Sequence, residues 1–173
     1  WLNFMKNKNA KKLFAVDISP KVIDLNKTFC NKIFQLDIES KKLPLKDNST
    51  DLILCLEVLE HIRDPNNLIN ELFRIMKSNS IAIFTIPNIL SFASRVRVLV
   101  GLLPIAIISD PTHIKFYKKR SIFKIFSDYN FKVEFYSSSF TLNPFDQKSS
   151  LRIPSYGILS SLDDSLIFTI KKK

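Results

Sequence analysis

Apolar positions in this chain come in short blocks whose spacing switches repeatedly between strand and helix periods. Leu2 and Met5 stand at helical spacing, so residues 1–8 read as the back end of a helix. Leu13 to Val16 is a short apolar strand closed by Asp17-Ile18-Ser19-Pro20. Ser19 suits a helix N-cap and Pro20 the first helical position, so Val22, Ile23 and Leu25 open a helix running to about Phe29. Ile33 to Leu36 is the next strand, followed by a polar turn around Leu43 to Ser49, and Asp51 to Leu56 is a third. From Asp64-Pro65 a helix carries Leu68, Ile69, Leu72, Phe73 and Met76 on one face. Ile81 to Ile86 is a fully apolar strand ending at Pro87-Asn88, and Ile89 to Ile108 is an apolar, helix-prone insertion. A helix over Ser121 to Tyr129 shows Ile122, Ile125 and Phe126 on one face; Phe131 to Tyr136 and Leu166 to Ile170 are the last strands.

Strands and helices that alternate in this way predict a mostly parallel sheet with helices on both faces. The last two strands lack a helix between them, which predicts a C-terminal antiparallel hairpin. With no internal repeat and no Gly/Ser linker, residues 1–173 read as one domain.

Three of the predicted strands run into a carboxylate: Leu13 to Asp17, Ile33 to Asp37, and Asp51 to Glu57. In open α/β sheets ligands bind outside the carboxyl ends of the strands. Three acid-tipped strands in succession therefore suggest a nucleotide-like ligand held along one sheet edge, with Glu57 and His61 where chemistry is expected. That pattern points to an enzyme.

Composition narrows the picture in a few places. The 173 residues and 46% hydrophobic content suit one soluble domain with a sizeable, Phe-rich core. Only 2 glycines occur, where ordinary usage predicts about a dozen. A net charge of +10 invites a nucleic-acid reading, but the lysines are scattered and no aromatic-interleaved basic stripe accompanies them. Solubilising surface lysine is the plainer reading, and an anionic substrate stays open. Cys30 and Cys55 form neither a CxxC pair nor a metal-spaced His/Cys cluster, so no metal site and no disulfide framework are expected. The longest apolar run, Val98 to Ile108, is broken by Pro104 and far short of the ~20 residues that span a bilayer. Without a signal-peptide pattern at the start, the chain reads as soluble and cytoplasmic.

The element order and its acids resemble the class I S-adenosylmethionine-dependent methyltransferases over nearly the whole chain, from about Leu2 to Lys171. Val16-Asp17-Ile18-Ser19-Pro20 looks like the family's second-strand motif, and Leu36-Asp37-Ile38-Glu39 followed by Leu43-Pro44-Leu45 like its third-strand motif. Asp51 to Pro65 is similar to the fourth-strand motif; Glu71 to Lys77 and Ile81 to Asn88 resemble the next helix and strand. His113-Ile-Lys-Phe116 and Asn130-Phe131-Lys-Val133 resemble the later H-x-x-F and G-F-x-V stretches.

The resemblance implies a Rossmann-like fold and S-adenosylmethionine as methyl donor. It implies that Asp17, with Ile18 beside it, meets the donor's ribose, that Asp37 and Ile38 meet its adenine, and that Leu56 and Glu57 lie near its methionine end. Each has a plainer alternative. Asp17 could cap the following helix, Asp37 could be a turn residue, and Glu57 and Glu60 could be solvated loop carboxylates. His61 is the candidate catalytic base and His113 a candidate catalytic residue on the acceptor side, and structural roles for both remain open. The insertion over residues 89–112 is the candidate substrate lid, with a membrane-surface patch or a dimer contact as alternatives. Its Arg95 and Arg97 could hold an anionic acceptor or stay solvated.

Two departures stand out. The family's Gly-rich turn between first strand and first helix has no counterpart here, so the chain reads as lacking the N-terminal strand and that loop, through truncation or gene decay. The usual Lys-Pro-Gly-Gly turn reads Lys77-Ser78-Asn79-Ser80, where Asn can take the left-handed conformation of a Gly. The expected activity is methyl transfer to a small-molecule, glycan or lipid acceptor. A non-catalytic binding module and a nucleic-acid methyltransferase are the alternatives, the latter disfavoured because Leu56-Glu57-Val58 stands where base methyltransferases carry their catalytic tetrad.

Overall fold

The computed structural model describes residues 2–7, 10–142, 145 and 152–172. The chain forms two compact units, Trp1–Pro44 and Leu45–Lys173.

The first unit holds helix α1 (Leu2–Asn7), strand β1 (Phe14–Asp17), helix α2 (Pro20–Asn26) and strand β2 (Lys32–Gln35). The expectations for Trp1 and Lys8 lie outside the described residues. β1 and β2 pair in parallel with Asp17 opposite Gln35. Ser19 caps α2 as the sequence implies: its hydroxyl accepts from the Val22 N–H at 3.5 Å and Pro20 opens the first turn.

The second unit contains strands β3 (Thr50–Leu56), β4 (Met76–Pro87), β5 (Phe131–Tyr136), β6 (Ser139–Thr141), β7 (Arg152–Pro154) and β8 (Ser165–Lys172). Its helices are α3 (Asn66–Ile75), α4 (Phe92–Leu99), α5 (Ile105–Ile108) and α6 (Lys119–Asp128), with 3-10 turns at Leu59–His61 and Gly157–Leu162. The main sheet has the order β3-β4-β8-β5, and β8 runs antiparallel to both of its neighbours. This is the expected α/β architecture. The predicted late hairpin is β5 with β8, but β8 inserts between β5 and β4, and the small antiparallel β6-β7 pair fills the connection.

The core of this sheet is phenylalanine. Phe84, Phe126, Phe131 and Phe168 are fully buried, and Phe84 stacks on its cross-strand partner Phe168 with centroids 4.9 Å apart. Of the α3 face read from the sequence, Leu68, Ile69 and Leu72 are buried and Phe73 is half-buried, while Met76 is buried as the first residue of β4; Ile75 is buried as well. Cys55 packs within β3 as a small hydrophobe, and burial pushes its thiol up to about 12.

Left-handed backbone positions are assigned economically. Asn48, Asn79 and Asn130 take positive φ, so Asn79 does replace a turn glycine and Asn130 does the same ahead of β5. Gly101 (φ 79°) ends α4 in a Schellman turn, with its N–H on the Val98 carbonyl and the Leu102 N–H on that of Arg97. Gly157 is also left-handed, at φ 58°, so both of the chain's glycines sit where a side chain is disfavoured. The one remaining non-glycine position of this kind among the described residues is Glu57, at φ 53°.

Candidate functional site

In the first unit, β1 delivers Asp17 and the turn after β2 delivers Asp37 to the same carboxyl edge of a parallel pair. Asp17 is half-buried. Its Oδ1 accepts the Ser19 N–H at 2.8 Å, an Asx turn that starts α2. The helix-capping alternative is therefore part of what Asp17 does, alongside Ser19. Ile18 leaves its side chain 67% exposed beside that carboxylate, while the Ile18 carbonyl accepts from Gln35 at 3.3 Å. Asp37 holds its own turn: Oδ1 accepts from the Glu39 N–H at 2.9 Å and Oδ2 from the Ser40 hydroxyl at 2.7 Å. The Ser40 bond, then that from Glu39, lowers the Asp37 carboxyl below its ordinary range. A carboxylate oxygen has two lone pairs, so neither acid is saturated by these bonds. Ile38 is half-buried next to it.

In the second unit, β3 stops at the half-buried Leu56, and the left-handed Glu57 turns the chain out of the sheet while donating its N–H to the Thr85 carbonyl at 2.9 Å. Backbone strain of this type collects where function overdetermines geometry. The 3-10 turn that follows buries Glu60 to 1% exposure and leaves His61 half-buried. Glu60 is thus no solvated loop carboxylate. Its backbone carbonyl accepts from Ile114 and Lys115, both at 3.0 Å, which pins the His113 segment over the turn. Both Glu60 carboxylate oxygens are buried with no hydrogen-bond partner. Burial first, then the nearby Glu57 and Asp110 charges, push the Glu60 carboxyl well above its ordinary range. The Tyr117 hydroxyl is likewise buried without a partner. Burial and then the Glu60 charge push it up to about 12.

His61 and His113, both singled out from the sequence, meet with ring centroids 4.9 Å apart. The Thr112 hydroxyl donates to Asp110 Oδ1 at 2.5 Å, so it must accept from His61, whose Nδ1 stands 3.0 Å from it and 3.1 Å from the Thr112 carbonyl. His61 therefore carries its proton on Nδ1 when neutral. His113 Nδ1 lies 2.7 Å from the Ala106 carbonyl, which only a donor can satisfy, so its tautomer is the same. His113 Nε2 faces Glu60 Oε1 at 3.9 Å. Ligand atoms of Glu60, His61 and His113 all fall within 4.8 Å of one another. The sequence offered no cluster at metal spacing because the third group arrives from a loop some fifty residues on; the adjacent Glu60-His61 pair was the only local signal.

Glu57 and His113 also share a recess of about 220 Å³ whose wall includes Asn88, Ser91, Ala106 and Asp164. Arg95 and Arg97 do not line it. Arg95 donates to the Leu90 carbonyl at 2.7 Å and Arg97 to that of Leu103 at 2.8 Å, so both brace the insertion. Among the described residues no helix is long and apolar enough to cross a membrane.

The buried Glu60 carries a prediction of its own. Its carboxyl is raised in the folded state, so its contribution is intact below the ordinary carboxylate range and is lost as pH rises toward the raised value. In EDTA-containing buffer, Glu60→Gln should melt above the parent chain near about pH 8 and level with it near about pH 4. Equal melting at both pH values would show that Glu60 is not held protonated.

Comparison with known proteins fits this architecture. The chain matches a family described as a methyltransferase domain over residues 1–135. No curated protein matches it in sequence. Among solved structures it is similar to a SAM-dependent methyltransferase from Thermotoga maritima, with a TM-score of 0.69 at 18% identity over 94% of this chain and 74% of that one. A SAM-dependent methyltransferase from Archaeoglobus fulgidus superposes with a TM-score of 0.60 at 19% identity, over 92% of this chain and 75% of that one. A Haloferax volcanii complex between a methyltransferase activator and a methyltransferase gives a TM-score of 0.60 at 14% identity, over 91% of this chain and 70% of that one. At these identities the likeness shows the fold. The α/β order that delivers Asp17, Asp37 and Glu57 to strand ends, matched over most of its length, makes this chain a member of the methyltransferase-domain family.

Proposed function

We propose that this chain is an S-adenosylmethionine-dependent methyltransferase acting on a small-molecule, glycan or lipid acceptor. The observation that carries the reading is the pair of acids at one carboxyl edge of β1-β2, on a chain of the methyltransferase-domain family. Asp17 and Ile18 would hold the ribose, Asp37 and Ile38 the adenine, and Leu56 and Glu57 the methionine end. The chemistry of that set fits: a half-buried carboxylate can accept two vicinal hydroxyls, and the exposed Ile18 side chain offers an apolar surface for a sugar or base to cover.

When bound, the donor supplies an already activated sulfonium methyl. Transfer would be an in-line displacement, the acceptor's lone pair taking the methyl while the carbon–sulfur electron pair stays with the departing sulfur. The protein's task is then alignment and exclusion of water. Where the acceptor must lose a proton, the unprotonated Nε2 of His61 or His113 is the candidate base. Acceptor choice would lie with the 89–112 insertion, which acts as lid or pocket wall. Ala106 lines the recess beside His113, and Val98, Leu99, Leu103 and Ile108 keep more than half of their surface exposed.

The test is calorimetric titration of S-adenosylhomocysteine into the protein, expressed with any residues its gene encodes ahead of Trp1. Saturable one-to-one binding is expected, and absence of binding sinks the proposal.

A further inference from the structure

We propose that Glu60, His61 and His113 form a binding site for a single divalent transition-metal cation, with Glu57 at its open side. Four observations bear on it, none of which depends on bound donor.

The ligand atoms of Glu60, His61 and His113 lie within 4.8 Å of one another. A cation at about 2.0–2.2 Å from imidazole nitrogen and carboxylate oxygen would draw those ligand atoms to roughly 3 Å separation. The Glu60 carboxylate is 1% exposed and neither of its oxygens has a hydrogen-bond partner. Buried polar groups of this kind are rare because each forfeits its solvation, and a dication would offset that loss directly.

His113 already turns its Nε2 toward Glu60 Oε1 at 3.9 Å, and both imidazoles are held through the other ring nitrogen. In metal sites the ligating histidine usually donates its second ring N–H to a carbonyl or carboxylate, which fixes both tautomer and ring plane. Here His113 Nδ1 donates to the Ala106 carbonyl at 2.7 Å, and His61 Nδ1 donates to Thr112, itself held by Asp110. Each ring is left with its lone pair on Nε2. These second contacts come from helix α5 for His113 and from the Asp110–Thr112 turn for His61.

The site is also open on one side. His113 and Glu57 line the same recess, so a cation held by Glu60 and the two histidines would keep coordination positions facing it. Three protein ligands with an open position is the arrangement of catalytic rather than structural metal sites. Two imidazoles with a carboxylate suit manganese, iron, cobalt or zinc better than calcium, which prefers an all-oxygen shell. Resting on the methyltransferase reading, the cation would polarise an acceptor hydroxyl and ease loss of its proton.

The experiment titrates Co2+ alone into the chelator-stripped protein, following heat and visible d–d absorption, with no donor present. Uptake of one equivalent is expected. Glu60→Gln and His61→Asn, each with parental circular dichroism, should weaken binding at least about tenfold, and His113→Ala should do the same if it folds. No uptake by the parent protein, or parental affinity in the folded Glu60→Gln and His61→Asn proteins, overturns the proposal. Because the readout involves no S-adenosylhomocysteine, its failure leaves donor binding to be judged on its own titration.

Discussion

A Phe84→Ala variant is expected to melt roughly 8–14 °C below the parent chain, a loss of about 3–5 kcal/mol. Phe84 sits at the centre of β4 with none of its surface exposed. It stacks on Phe168 of β8 at 4.9 Å, with the ring planes 9° apart, and meets Phe126 of α6 at 5.2 Å. Phe126 and Phe168 in turn touch each other at 5.7 Å, so removing one ring opens a cavity that the other two cannot close. Aromatic pairs add about 0.5–1.5 kcal/mol beyond the area they bury, which places this site at the upper end of such substitutions. The control is Phe123→Ala on α6, where the ring is 54% exposed and the change should stay within about 0.5 kcal/mol. Thermal melting followed by circular dichroism compares the two. Equal losses would mean that the Phe84 cluster is not the core of the sheet.

The second large effect concerns Asp17. A carboxylate holding both vicinal hydroxyls of a ribose makes charge-assisted bonds worth about 1.5–3 kcal/mol, so Asp17→Ala should weaken S-adenosylhomocysteine about ten- to a hundredfold. The same carboxylate accepts the Ser19 N–H that starts α2, and alanine removes that turn as well. Asparagine separates the two roles. Its side-chain oxygen can still accept from Ser19, while the charge and one of the two acceptors are gone. Calorimetry is therefore expected to show weakened binding in both variants, with lowered thermal stability in Asp17→Ala alone. Parental affinity in Asp17→Asn would take the ribose role away from this residue.

How far the sequence could be read differs sharply between elements. The strands around Asp17, Asp37 and Leu56 were legible because a strand's period and an acid at its end are both local facts. So was the amphipathic α3, and so was Asn79, because a left-handed turn restricts residue choice wherever it occurs. The hydrophobic pattern starts β4 at Ile81, yet the strand begins at Met76, because pairing of Thr50 with Met76 extends it past a stretch that is polar in sequence. The short β6 and β7 were missed: two three-residue strands give too little periodicity to register. Arg95 and Arg97 could be imagined holding an anion, and nothing in their neighbours shows that each guanidinium reaches a loop carbonyl instead.

By itself, then, the sequence determined the order of the longer strands and helices, the acids at or just past strand ends and the left-handed Asn79. Each of these depends on a residue and its near neighbours. Tertiary structure alone decided that β8 inserts antiparallel between β4 and β5, that Glu60 turns inward while Glu57 stays out, and that His113 comes to rest against His61. Those outcomes depend on which surfaces are buried against each other across long separations. Burial, unlike periodicity, leaves no trace in the spacing of the residues that it brings together.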